Sequence, residues 1–186
     1  MSKVKTTGFI LAMVMVLGAG DYFSKEINAQ GTTYKVGDRG PAGGWIFYDK
    51  GNNAGGWRYL EAAPVDQSPA AKGGCGKVST PDAKGIVIGT GKTNTAAIIK
   101  SCTDAGIAAK IAADYRGGDK SDWFLPSRDE LNLMYVTLRK AGVDGLAKEN
   151  YWSSSEIDAY KTWVQSFRSG AYNGNYKSMK FRVRAV

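Results

Sequence analysis

The sequence predicts a fold that mixes helix and sheet, and three observations carry that expectation. Aromatic and β-branched residues flank a Gly/Asn turn in GGWIFYDKGNNAGGWRYLEAAP, residues 43–64, the pattern of two paired strands. Ser127 and Glu130 have the S-x-x-E spacing of a capping box, and Leu131, Met134, Tyr135 and Leu138 follow at i, i+3, i+4, i+7. The closing KSMKFRVRAV, residues 177–186, alternates apolar and cationic side chains as a half-buried strand does.

The chain opens on an export signal. Lys3 and Lys5 precede the uncharged run FILAMVMVLGA, residues 9–19. That run falls short of the ~20 apolar residues a bilayer span needs, and a basic start with a short apolar segment is the pattern of a secretory signal. Small residues allow cleavage after Gly20 or after Ala29. The second is favoured because the intervening DYFSKEINAQ has no periodicity of its own. The reading is a cleaved signal over 1–29 and a single domain over 30–186, with no membrane span in the mature chain, in the periplasm, at the cell surface or secreted. Cys75 and Cys102 are the only cysteines, and an even pair in an exported chain predicts one disulfide.

Histidine is absent from all 186 residues, which excludes Ser-His-Asp and Cys-His catalysis and the common zinc sites. An enzyme here would rest on carboxylates such as Asp119, Asp122 and Glu156, and their spacing supports neither metal nor acid–base work. No cofactor is expected. GIVIGTGKTN, residues 85–94, imitates a phosphate loop, but the first glycine of that pattern would stand at position 86, which is Ile86. The expected reading is a short strand, GIVI, then a tight turn, then a helix capped by Thr93 or Asn94, with Lys92 in solvent. IAAKIAADY continues as a second short helix ending at Gly117-Gly118. Residues 64–85 are expected to be an irregular loop carrying Cys75. SSSE, residues 153–156, sets serines beside the carboxylate of Glu156, but no histidine or nearby lysine supports a nucleophile there.

Strands are predicted over 150–156, 161–167 and 177–186, with RSGAYNGNYK between the last two as a loop. From Ala159 to Val186 there are six cations and no acid. A stretch of one sign attracts polyanions, and export makes nucleic acid the least suitable of them. Tyrosine and asparagine suit recognition, giving rigid contact area and adaptable hydrogen bonds.

Taken in order, GPAGGWIFYDKG, GWRYLEAAP, IGTGKTNT, DWFLPSRDELNLMY, YWSSSE and the closing RVRAV resemble the family named after the C-terminal domain of a Legionella collagen-like adhesin, a secreted bacterial domain formerly of unknown function. The resemblance runs from Tyr34 to Val186. It implies an α+β, C-type lectin-like fold with two main helices and a twisted, mostly antiparallel sheet. It also implies glycan or protein binding through the C-terminal sheet and loops. Formylglycine-generating chemistry, found on the same fold, needs a C-terminal cysteine pair that this chain lacks after Cys102. The Glu-Pro-Asn or Gln-Pro-Asp motif of calcium-dependent lectins is missing, since Pro126 is the last proline.

The expected function is therefore a non-catalytic binding module, with no catalytic residue and no metal. Its ligand would be an anionic or sulfated glycan or a cell-surface protein. Arg168, Lys177, Lys180, Arg182 and Arg184 would supply charge, and Tyr172, Asn173, Asn175 and Tyr176 contact. The alternative is a protein-binding receptor with a diversified loop at 171–177.

Overall fold

The computed structural model describes residues 27–28 and 31–186. The basic start, the apolar run and both cleavage sites read over 1–29 lie outside the described residues, apart from Ile27–Asn28. The chain divides into two compact units, Met1–Thr33 and Tyr34–Val186. In the first, β1 (Ile27–Asn28) pairs antiparallel with β2 (Gly31–Thr32). No helix among the described residues is long and apolar enough to cross a membrane.

The second unit is α+β. Its first hairpin joins β3 (Trp45–Asp49) to β4 (Tyr59–Ala62) across the Gly/Asn turn, as the aromatic arms predict. The main sheet has five strands in the order β5-β9-β6-β7-β8. These are β5 (Ser68–Lys72), β6 (Asn150–Glu156), β7 (Lys161–Ser166), β8 (Tyr172–Tyr176) and β9 (Lys180–Val183). β6 and β9 run parallel, and the other paired strands are antiparallel.

Three α-helices cover this sheet: α1 (Gly91–Ser101), α2 (Ala108–Asp114) and α3 (Arg128–Met134), the last continuing as a π-turn over Tyr135–Arg139. Neighbouring residues of a strand face opposite sides, and β6 uses both. Trp152 joins Ile98, Ile107 and Leu125 in a core under α1 and α2. Tyr151 joins Phe47, Leu131, Met134 and Phe167 in a second core under α3 and the hairpin. A strand covered on both faces has no solvent side, which is why every residue from Tyr151 to Glu156 is buried.

Four expectations need correction. GIVI forms no strand; residues 85–90 are bend and turn. α1 starts at Gly91, two to three residues before its expected caps, with Thr90 at the N-cap and no side-chain cap. The expected loop at 64–85 contains β5, whose SPAAK has no apolar alternation and is held by pairing with β9. The expected loop at 168–176 contains β8, where Tyr172, Gly174 and Tyr176 share one face and Asn173 and Asn175 the other.

Cys75 and Cys102 form the disulfide, with Cα atoms 5.7 Å apart and a sequence separation of 27. The bond ties the loop after β5 to the residue that ends α1. A loop of that length restrains the unfolded chain by roughly 3.5 kcal/mol. Replacing both cysteines by alanine should therefore lower the free energy of urea unfolding by about that amount, and adding reductant to the double variant should change nothing further.

Candidate ligand-binding surface

The cations near the C-terminus do not stay together. β8 and β9 are neighbours in sequence, but β6 and β7 lie between them in the sheet, a separation of roughly 14 Å at strand spacing. Lys180 sits at the start of β9, exposed and opposite Lys72. Arg168 is exposed in the β7–β8 connection.

Three of the proposed contact cations are structural instead, and these are corrections. Lys177 is 1% exposed, and its ammonium lies 2.6 Å from the Glu156 carboxylate. It also donates to the Val78 carbonyl at 2.8 Å, while the other Glu156 oxygen accepts from the Thr80 N–H. Arg184 is also 1% exposed. Its guanidinium donates to Asp66 at 2.8 Å, to the Ala63 carbonyl at 2.6 Å and to the Gly145 carbonyl. Arg182, half-buried, donates to the same Asp66 at 2.9 Å. Burial without a partner would cost each cation several kcal/mol, so their acids come from distant segments that the local absence of acid could not reveal.

Tyr151 completes the Asp66 cluster: its phenol donates to Asp66 at 3.1 Å and accepts from the Ala147 N–H at 2.9 Å. Burial, then the nearby Asp66 charge, pushes its pKa up to about 12.

What remains outside is one aromatic and cationic face on β7 and β8. Tyr172 is 45% and Tyr176 57% exposed. Trp163, on the same side of β7, meets Tyr172 edge to face at 6.0 Å between ring centres. The Arg128 guanidinium, which also pairs with the neighbouring Asp129 carboxylate at 2.9 Å, stands over both rings, at 5.4 and 5.5 Å. The Lys161 ammonium stands 5.1 Å from the Tyr176 ring. Asn173 is exposed and Asn175 half-buried on the opposite face. Gly174 carries no side chain because Ile157 covers it: a Cβ there would meet the Ile157 Cδ1 at 2.6 Å. Arg128, Lys161 and Trp163 were missed in the sequence because 172–176 reads as a loop. Its Tyr-x-Gly-x-Tyr alternation is the signal that aligns it with β7.

The remaining chemical candidates resolve as structure. The Glu130 carboxylate accepts from the Gly89 N–H at 2.7 Å and the Ser127 N–H at 2.7 Å, and lies 3.5 Å from the Gly91 N–H. The position a phosphate would take at α1 is thus held by the chain's own carboxylate. Burial raises the Glu130 pKa, against the pull of those backbone donors. Ser155 accepts from the Arg128 N–H and donates to the Gly85 carbonyl, Ser154 lies within bonding distance of Asn94, and Ser153 accepts from the Ser155 N–H. These serines fasten loops to the sheet. Among the described residues no three His, Cys, Asp or Glu side chains gather as a metal site would require. No model of a known protein family matches this chain, and no curated protein matches it.

Two outcomes test these assignments. Lys177→Met alone should cost about 3–5 kcal/mol by stranding Glu156, and adding Glu156→Gln should recover part of the loss in urea unfolding. The Tyr151 phenol, with its folded pKa raised, supports the fold fully below its ordinary value of 10.0 and loses that support as the pH climbs toward 12. The stability excess of the unsubstituted protein over Tyr151→Phe should therefore shrink across that window.

Proposed function

We propose that the chain is an exported, non-catalytic binding module of C-type lectin-like architecture. Its β7–β8 face engages anionic or sulfated glycans at a cell surface. The observation that carries the reading is the pairing of two exposed tyrosines with cations, Arg128 beside Tyr172 and Lys161 beside Tyr176. A large exposed aromatic ring gives contact area at low entropy cost, and an adjacent cation gives long-range attraction to sulfate. Arg168, in the turn before β8, adds charge at one end. Lys180 stands apart across the sheet and contributes only to the general field.

A second reading, a protein-binding receptor varied along β8, is favoured by one observation: no residue from Tyr172 to Tyr176 is buried. Such positions accept change without loss of the core. Sister copies of the gene would differ mainly over 171–176 under that reading, and Lys177 would stay constant.

The glycan reading is tested by titrating heparin as a sulfated probe at rising salt. The apparent affinity should fall steeply as screening shortens the reach of each charge. Tyr172→Ala with Tyr176→Ala should weaken binding roughly tenfold, the scale of losing an aromatic contact, and Lys180→Ala should change it little. Salt-independent binding, or none, overturns the proposal.

A further inference from the structure

A cavity lies away from the tyrosine face. It has a volume of about 380 Å³ and opens beside the β3–β4 hairpin. That is within the size range of small-ligand pockets, about 300–1,000 Å³. Tyr34, Trp57, Tyr59 and Phe124 contribute aromatic walls. Trp57 lines the cavity while the Lys50 ammonium stands 3.9 Å from its ring centre and Tyr48 packs at 6.2 Å between ring centres.

The polar lining is balanced in sign. Lys92 and Lys120 face Glu61 and Asp122, while the remaining cation, Arg58, is already taken by Asp49 through two bonds of 2.8 and 2.9 Å. The side chains of Lys92, Lys120 and Asp122 are exposed and make no side-chain hydrogen bond or ion pair among the described residues, although the Lys120 charge acts on Glu61. Glu61 is fixed: its oxygens accept from the Gly44 N–H at 2.6 Å and the Ala42 N–H at 3.2 Å. Gly40 makes that approach possible, since a Cβ there would lie 2.2 Å from a Glu61 oxygen.

Aromatic walls favour a ligand with an apolar face. Two cations against two carboxylates disfavour a ligand of strong net charge, and side-chain donors and acceptors accessible at the mouth favour groups that both give and take hydrogen bonds. We propose that this cavity binds a single neutral sugar ring of pyranose size, its C–H face against Trp57 and its hydroxyls bonded to Lys92, Lys120 and Asp122. The site is separate from the β7–β8 face and does not depend on it.

The test is a titration of the isotope-labelled protein with methyl β-glucopyranoside, methyl β-galactopyranoside and N-acetylglucosamine, followed by NMR. At least one should shift the Trp57 indole N–H and the Gly89 and Lys120 amides saturably, with Kd on the order of 1 mM for so few ligand atoms. That Kd should hold within about twofold when salt is raised, unlike a charge-driven contact. Trp57→Ala and Asp122→Ala should each weaken binding roughly tenfold, about one lost contact. Asp122 is exposed, so its variant keeps the fold and remains informative if Trp57→Ala does not. The proposal is overturned by no saturable shift with any of the three sugars, by shifts confined to Tyr172–Tyr176, or by undiminished binding in Asp122→Ala. Loss of heparin binding in the tyrosine variants leaves this outcome untouched, so the two sites fail or stand separately.

Discussion

The buried carboxylate of Glu130 fixes both surfaces of this protein. It draws together the backbone donors of Gly89, Gly91 and Ser127, and so sets the starts of α1 and α3 against one another. The glycine of GKTN is required by that contact: a Cβ on Gly91 would stand 2.2 Å from a Glu130 oxygen and 2.8 Å from the Ser127 nitrogen. Two residues before Glu130, Arg128 leaves the start of α3 toward Trp163 and Tyr172. On the other side, Gly89 and Lys92 line the cavity. A shift of this one carboxylate would move a cation away from one surface and a wall away from the other. Buried charge seldom raises net stability; here its consequence is a defined geometry between segments far apart in sequence.

The same logic distributes the positive charge. The chain carries a formal charge of +8, yet Lys177 and Arg184 are withdrawn from solvent and Arg182 is half-buried. Lys177 anchors the end of β8 to Glu156 on β6, and Arg184 with Arg182 anchors β9 to Asp66. Each acid is reached only after the chain has folded back, so these pairs tie strand order to loop position. Beside the exposed tyrosines stand Arg128, itself paired with Asp129, and Lys161, two cations from different segments of the chain.

Patterns closed within one turn or one strand were readable from the sequence, and long-range pairing stayed hidden. The Ser127–Glu130 capping box forms with both reciprocal bonds, because all its atoms lie within one helical turn. Strand β6 matches its expected span, Asn150 to Glu156, since its aromatic and small residues leave no other use for the segment. The alternation of β9 was visible too, but not the meaning of its polar side. Arg182 and Arg184 look solvent-bound until Asp66, more than a hundred residues earlier, is placed beside them. β5 and β8 failed for a related reason: SPAAK and YNGNY have weak strand propensity, and their partners in β9 and β7 impose the conformation. Tyr172 and Tyr176 are exposed, as their place in an expected surface segment suggests, whereas Arg128 was absorbed into the helix-start pattern.

The two surfaces stand in opposite relations to the fold. Along β8 the side chains add nothing to either core, so exchanging Tyr172, Asn173 or Tyr176 should stay within the roughly 0.5 kcal/mol typical of surface changes. Around the cavity, Glu61 clamps the loop at Gly40–Gly44 and Trp57 packs against the core beneath α3. Altering either disturbs the frame along with the ligand site. A change on β8 therefore alters the surface alone, whereas a change around the cavity alters surface and frame together.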